Sequence, residues 1–287
     1  MEDCKNIVYQ ARFLLKSNWL KAVKLLEDEI EKNPDTKELY LELAQIYYTK
    51  GSQKKSLENF QHALKLDNEN SQINFKIGTI YLEMDEPKLA IYYYERIKEE
   101  FPDALYNKAL AYEKLARYEE AIDVLITLVQ YPNVIANAYY FLIELLIATS
   151  NINEATEYLE KTIKLFGNTP QVSYLYGTVY TKQNNWFMAY KNLLLALPDY
   201  NTSGKLHHLL GISAENVGLT DKAINHLKDA ICLKQNVKNI FLDLLTILSR
   251  NNYFKDESEL KSYIPKTNEH VSQLMDELLG NLGLAKE

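Results

Sequence analysis

The chain has 287 residues, of which 47% are hydrophobic and 25% charged, a balance typical of globular proteins and not of disordered ones. A net charge of −7 and a pI near 5.4 disfavour non-specific binding to nucleic acid or to an anionic membrane. No run of about 18 apolar residues is present, so no membrane span is predicted. The low content of glycine and proline, 9 and 7 residues, indicates that helices dominate over long loops.

Small residues recur along the chain at a nearly constant spacing. They are Ala22, Ser56, Ala90, Ala121, Ala155, Ala189 and Ala223, and their successive differences are 34, 34, 31, 34, 34 and 34. A period of 34 held over most of a chain indicates a solenoid of helix–turn–helix units. The short interval coincides with Pro102, and there we expect a local change of superhelical pitch without a break into separate domains.

The period divides the chain into units. They are predicted near residues 3–36, 37–70, 71–101, 102–135, 136–169, 170–203 and 204–237, with a degenerate unit at 238–263, so that one array covers about residues 1–250. Residues 264–287 are predicted to form a C-terminal capping helix, whose apolar stripe contains Val271, Leu274, Met275, Leu278, Leu279 and Leu282. Such a helix covers the exposed end of a solenoid. Insertion into the groove or into a neighbouring molecule stays an open alternative.

Glycines occupy two kinds of position in these units. Gly51 and Gly218 follow predicted first helices, where a left-handed residue ends a helix and glycine adopts that conformation without strain. Gly78, Gly177 and Gly211 lie inside first helices, where glycine is unfavourable by about 1 kcal/mol relative to alanine. We therefore expect a neighbouring helix to approach closely at these three positions.

The pattern resembles the signature of the tetratricopeptide repeat family. The second unit carries it in Tyr40, Leu43, Ala44, Tyr47, Ser56, Phe60 and Ala63, and the sixth in Tyr176, Gly177, Tyr180, Ala189, Leu193 and Ala196. The resemblance covers about residues 3–237, or some seven units. It implies an all-α fold, a right-handed superhelical solenoid of antiparallel helix pairs, and a role as a protein-binding scaffold. It also implies that first helices line a concave face on which ligands lie.

The sequence contains no recognisable catalytic or cofactor motif. The GxGxxG, P-loop and HExxH patterns are all missing from it. His207 and His208 are adjacent, but neighbouring helical residues point in different directions, and no cysteine or third histidine lies at ligand spacing in the sequence. We therefore predict a protein that is not an enzyme and has no cofactor and no metal site.

The predicted concave face follows from the repeat register. Counting back from the small residues and then along each first helix gives a strip rich in aromatic side chains, with scattered acids and few bases. The residues predicted to bind a partner are Tyr48, Phe75, Tyr106, Glu113, Tyr140, Glu144, Tyr174 and Thr178. Two interpretations stay open: these aromatic side chains form packing between neighbouring first helices, or they form a docking strip for an apolar segment.

The best-known peptide-binding members of the family grip a C-terminal carboxylate with lysine, arginine and asparagine side chains. In this chain the corresponding inner positions are occupied by Ile7, Ala11, Leu41, Gln45, Phe75 and Thr79. No basic residue stands where that clamp needs one, so the first three units are not expected to bind a heat-shock chaperone tail.

The leading functional hypothesis is a non-enzymatic adaptor that holds an apolar or mildly basic peptide or helix of a protein partner in its concave groove. The alternative is a structural subunit that assembles into a homo- or hetero-oligomer through its ends and convex face. Cys4 and Cys232 are far apart and fit no CxxC spacing, so both are predicted to be free and buried. With no signal segment recognised at the N-terminus, the predicted location is the cytoplasm.

Overall fold

The structure is a computed structural model, and it describes residues 2–98, 101–233, 237–254, 257–263, 273, 276–277 and 279–280. Within these residues the fold is all-α. The helices are α1 (Glu2–Leu15), α2 (Trp19–Lys32), α3 (Lys37–Thr49), α4 (Gln53–Leu66), α5 (Ser71–Glu83), α6 (Pro87–Tyr94), α7 (Pro102–Lys114), α8 (Tyr118–Leu128), α9 (Ala136–Ala148), α10 (Ile152–Phe166), α11 (Pro170–Lys182), α12 (Trp186–Tyr200), α13 (Gly204–Asn216), α14 (Thr220–Cys232), α15 (Val237–Arg250) and α16 (Glu257–Tyr263).

Consecutive helices pack in pairs, from α1 with α2 to α13 with α14. From the second predicted unit to the seventh, each first helix begins at the residue where that unit was predicted to begin. The chain divides into two compact parts, unit 1 (residues 1–134) and unit 2 (residues 135–287). This division lies one residue before the predicted boundary between the fourth and fifth repeats, at 135 and 136. The single array over residues 1–250 and the change of pitch near Pro102 stay predictions.

The periodic small residues are buried within the helix pairs. All seven, from Ala22 to Ala223, have no solvent-exposed surface. The hydroxyl of Ser56 on α4 donates a hydrogen bond to the carbonyl oxygen of Ala44 on α3 at 2.9 Å. A Cβ atom added to Gly177 on α11 would lie 2.5 Å from Cγ of Leu193 on α12. The prediction of close helix approach at the glycines is therefore confirmed.

The turns within the helix pairs repeat one backbone motif. In the described residues, positive φ angles recur at Gly51, Asp85, Ala116, Ser150, Asn184, Gly218 and Asn252. At each turn the next residue donates its N–H to a carbonyl five residues earlier, as Ser52 does to Tyr47 at 2.9 Å. This is the Schellman motif, which satisfies carbonyls left open at a helix end. Asn252 occupies the corresponding turn position in the degenerate eighth pair, which consists of α15 and the seven-residue α16.

The two cysteines were predicted to be free and buried, and the structure describes the side chain of one of them. Cys232 is free but exposed at the end of α14, so its predicted burial is wrong. It lies one residue beyond the buried row of that helix, whose last member is Ile231. The side chain of Cys4 lies outside the described residues.

The predicted capping helix lies mostly outside the described residues. Of its apolar stripe only the Leu279 side chain is described, and it is 1% exposed. The positions that the structure describes there, 273, 276–277 and 279–280, are helical. Whether this helix caps the solenoid therefore stays a prediction.

Candidate partner-binding groove

The eight residues predicted to bind a partner divide between the two units. Unit 1 contains Tyr48, Phe75, Tyr106 and Glu113, whereas unit 2 contains Tyr140, Glu144, Tyr174 and Thr178. All eight lie on first helices: α3, α5 and α7 in unit 1, and α9 and α11 in unit 2.

In unit 1 the aromatic positions contribute to packing. The ring of Phe75 on α5 lies 4.7 Å from that of Phe101 and 6.3 Å from that of Tyr94, measured between centroids. The hydroxyl of Tyr48 on α3 donates a hydrogen bond to the carboxylate of Glu83 on α5. This hydrogen bond and burial raise the pKa of Tyr48 to about 12. The pair joins two neighbouring first helices, as the packing interpretation predicts.

The remaining two predicted residues of unit 1 lie on α7. Tyr106 is half-buried, and Glu113 is exposed about two turns further along the helix.

In unit 2 the two predicted tyrosines also hold helices together. Tyr174 on α11 is only 8% exposed, and its ring stacks on that of Tyr200 with the centroids 5.7 Å apart. The hydroxyl of Tyr140 on α9 lies 3.0 Å from Oγ1 of Thr169, the residue that caps α11. The Tyr174 ring is therefore covered inside the unit, whereas Tyr140 is half-buried and contributes its hydroxyl to a contact between α9 and the start of α11.

A groove of about 500 Å³ opens beside these tyrosines on the first helices of unit 2. It is lined by residues of α9, α11, α13 and α15, namely Glu144, Ile147, Ala148, Thr178, Lys182, Lys205, His208, Leu209 and Ile240. The volume is within the range of about 300–1,000 Å³ common for ligand sites. Its apolar side chains come from three of the helices, so the groove exists only once the repeats have stacked.

The polar side chains of the groove are held by neighbours. Nε2 of Gln171 donates to Oε1 of Glu144 at 3.1 Å, and Nε2 of His208 lies 2.7 Å from Oδ2 of Asp243 on α15. The ammonium group of Lys205 lies 6.0 Å from the centroid of the Tyr174 ring, within reach of a cation–π interaction. These contacts preorganise charged groups of both signs around the apolar lining.

The structure brings two of the predicted residues, Glu144 and Thr178, into the groove. Tyr140 and Tyr174 do not line it. Lys182 and Lys205 were not among the predicted residues, and they add two basic side chains to the groove of unit 2. Both could have been found from helical spacing, because Lys182 lies one turn after Thr178 and Lys205 one turn before His208.

A second cluster in unit 2 involves the histidine that precedes His208. Nδ1 of the buried His207 on α13 lies 3.3 Å from Nδ1 of His226 and 3.5 Å from Oδ2 of Asp229, both on α14. Burial and the nearby His207 ring lower the pKa of His226. Sequence spacing did not indicate a third metal ligand near His207, because these three residues meet only when α13 packs on α14.

No helix among the described residues is long and apolar enough to cross a membrane.

Comparisons with known proteins agree with this architecture. Two family models, both described as tetratricopeptide repeat, match the chain, one at residues 37–70 and 102–131 and the other at 74–104. The chain is also similar to the human protein O-mannosyl-transferase TMTC3, with 23% identity over 256 residues. That alignment covers 84% of this chain but only 27% of the length of the human protein.

In three solved structures with the same fold, fewer than a fifth of the aligned residues are identical to those of this chain. One is described as PilF of Pseudomonas aeruginosa, with a TM-score of 0.58, 19% identity, and coverage of 72% of this chain and 97% of that one. A chain of the APC/C hetero-tetramer Cut9-Hcn1 has a TM-score of 0.58 and 18% identity, over 95% of this chain and 55% of that one. A tetratricopeptide repeat protein of Parabacteroides merdae has a TM-score of 0.56 and 17% identity, over 86% of this chain and 100% of that one. The solved structures share the all-α fold of stacked helix pairs, and the family matches identify tetratricopeptide repeats within residues 37–131, which support a general role as a protein-interaction scaffold.

Proposed function

We propose that this chain is a non-enzymatic adaptor that holds a segment of a protein partner in the groove of unit 2. The observation that carries this proposal is the composition of the groove, in which Ile147, Leu209 and Ile240 lie beside charged side chains. Burial of apolar side chains supplies most of the binding energy at such surfaces, whereas charges at the rim set specificity.

The charges of the groove specify the chemistry of the segment. Lys182 and Lys205 favour an acidic group on the partner, whereas Glu144 favours a basic or amide group. We therefore propose a peptide or helix with an apolar centre and a charge of each sign beside it. This replaces the mildly basic peptide expected from the sequence, which did not take the two lysines into account.

A peptide library displayed on phage and selected against the full-length chain tests this proposal. Leu209→Glu places a charge in the groove, and Leu195→Glu, on the exposed surface of α12, is the matched control because Leu195 is 53% exposed. Selected peptides are expected to bind Leu209→Glu at least tenfold more weakly and the control unchanged. Equal affinity for both variants, with both folded, would place the binding surface elsewhere.

Mannosyl transfer is the activity named for the human relative, of which this chain matches only a part. We propose binding and not catalysis for the matched part, because an apolar lining with charged neighbours is what peptide docking requires. The chain alone is expected to form no product in a mannosyl-transfer assay. Product formation above that of a heat-denatured sample would contradict the proposal.

One observation favours the alternative, in which the chain is a subunit of an oligomer. Tyr9 and Phe13 are 74% and 70% exposed and lie one turn apart on α1. Large exposed apolar side chains that share a face are typical of association surfaces. Light scattering decides this point: a mass above 33.3 kDa that returns to the monomer value in Phe13→Glu favours the oligomer, and a monomer at every concentration contradicts it.

We also propose the cytoplasm as the compartment of this chain. The observation in support is the free and exposed thiol of Cys232, which remains reduced in a reducing compartment.

A further inference from the structure

Three side chains that the groove does not use converge between α13 and α14. His207, His226 and Asp229 each offer one possible ligand atom, and these three atoms lie within 4.8 Å of one another. His207 comes from α13, whereas His226 and Asp229 lie three residues apart on one face of α14. A neutral imidazole has a lone pair on one of its two ring nitrogens, and an ionised carboxylate has lone pairs on both oxygens, so all three side chains can act as metal ligands.

The hydrogen bond on the far side of His207 sets its tautomer. Nε2 of His207 lies 3.0 Å from the carbonyl oxygen of Asn201, which can only accept a hydrogen bond. The proton of the neutral ring is therefore on Nε2, and the lone pair of Nδ1 points at His226 and Asp229. A hydrogen bond of this kind is the usual support of a metal-binding histidine.

The two distances from His207 Nδ1 to the other ligand atoms are close to the edge of a zinc coordination tetrahedron. Ligand atoms bound about 2.0–2.1 Å from a tetrahedral ion lie about 3.3–3.4 Å apart. His207 Nδ1 is 3.3 Å from His226 Nδ1 and 3.5 Å from Asp229 Oδ2. The ligand set, two imidazoles and one carboxylate, is one that zinc takes readily.

The surroundings leave one position open on the solvent side. The side chain of His207 is 9% exposed and that of Asp229 is 58% exposed, so an ion bound there would be reached from the Asp229 side and could keep a water as its fourth ligand. The ammonium group of Lys222, one turn before His226, opposes a cation, and the Asp229 carboxylate offsets it.

We propose that His207, His226 and Asp229 form a binding site for a divalent zinc ion that links α13 to α14. The ion joins the two helices of the seventh repeat by direct bonds. Through α13 it also steadies the helix that carries the groove residues Lys205, His208 and Leu209.

The full-length chain is first freed of metal with a chelator. It is then titrated with zinc in competition with a chromophoric chelator, which measures the binding directly. One equivalent is expected to bind to the native chain. Because only the folded state holds all three ligands together, a hundredfold excess over Kd should raise the melting temperature by about 5 °C or more. Cobalt in place of zinc should give the visible absorption of a tetrahedral ion.

Two variants and one control make the assignment specific. Asp229→Asn alters an exposed side chain and His226→Asn a half-buried one, and each is expected to weaken zinc binding at least tenfold. His62→Ala, which removes a histidine from unit 1, is expected to bind like the native chain. The proposal is overturned if the native chain binds no zinc, in which case His226 simply donates a hydrogen bond to His207, or if binding survives both asparagine variants.

Discussion

Gly177→Ala is expected to destabilise unit 2 although alanine is the better helix former. The substitution gains about 1 kcal/mol of helix propensity. The new Cβ, however, would lie 2.5 Å from Cγ and 2.6 Å from Cδ2 of Leu193, and 3.2 Å from the backbone nitrogen of that residue. The Leu193 side chain can rotate away, but the backbone of α12 has to move as well, and overpacking of this kind costs about 1–3 kcal/mol. The expected net loss is up to about 2 kcal/mol, or a fall in melting temperature of up to about 8 °C.

Gly280→Ala is the matched control for this measurement. Gly280 is also helical, but no atom of the residues that the structure describes lies within 4 Å of an added Cβ there. The same substitution should therefore leave stability unchanged or raise it by up to about 1 kcal/mol. Calorimetry and urea unfolding of both variants give the comparison. If Gly177→Ala melts above the native temperature and as high as Gly280→Ala, the close approach of α11 and α12 at this glycine is refuted.

Three further predictions concern the turns, the tyrosine pairs and the last helix. Ala116 and Gly51 have positive φ angles of 55° and 74°, a conformation that glycine adopts without strain. Ala116→Gly should therefore stabilise unit 1 by about 1 kcal/mol, and Gly51→Ala should destabilise it by a similar amount. Urea unfolding in which the two changes have the same sign would contradict this. The pKa of Tyr48 is about 12 in the folded state and about 10 in the unfolded state. Between these two pH values the folded state keeps the phenol protonated while the unfolded state loses the proton, so the free energy of unfolding should fall as pH rises from about 10 to about 12. Unfolding midpoints at about pH 9 and pH 11 should differ less in Tyr48→Phe, and equal differences would refute the assignment. Deletion of residues 266–287 should lower the melting temperature and promote aggregation, and an unchanged melting temperature with tighter peptide binding would instead mean that this helix occupies the groove.

The repeat architecture was predictable from the sequence because one packing constraint recurs in each helix pair. At positions such as Ala155 and Ala189 the two helices of a pair are too close for a larger side chain, so the constraint is visible as a period. The turns were predicted only where they contain glycine. Ala116 and Ser150 adopt the same left-handed conformation, held by the hydrogen bonds of the Schellman motif, and their residue types give no local signal.

The groove was predictable only in part. Helical spacing within one helix placed Glu144 and Thr178 on the right face, but it does not tell which aromatic rings are consumed by packing. Tyr174 is covered because Tyr200 from the next helix stacks on it, and this depends on the crossing of α11 and α12. The meeting of His207 with His226 depends in the same way on contacts between helices.

Photo-crosslinking of a selected peptide to the full-length chain tests the central claim most directly. A benzoylphenylalanine placed at the apolar centre of the peptide should form adducts with residues of α9, α11, α13 and α15, around Leu209 and Ile240. The adducts are identified by mass spectrometry of the digested complex, and an excess of unlabelled peptide should suppress them. Adducts confined to the second helices α10, α12 and α14, with none on the four first helices, would contradict binding in the groove.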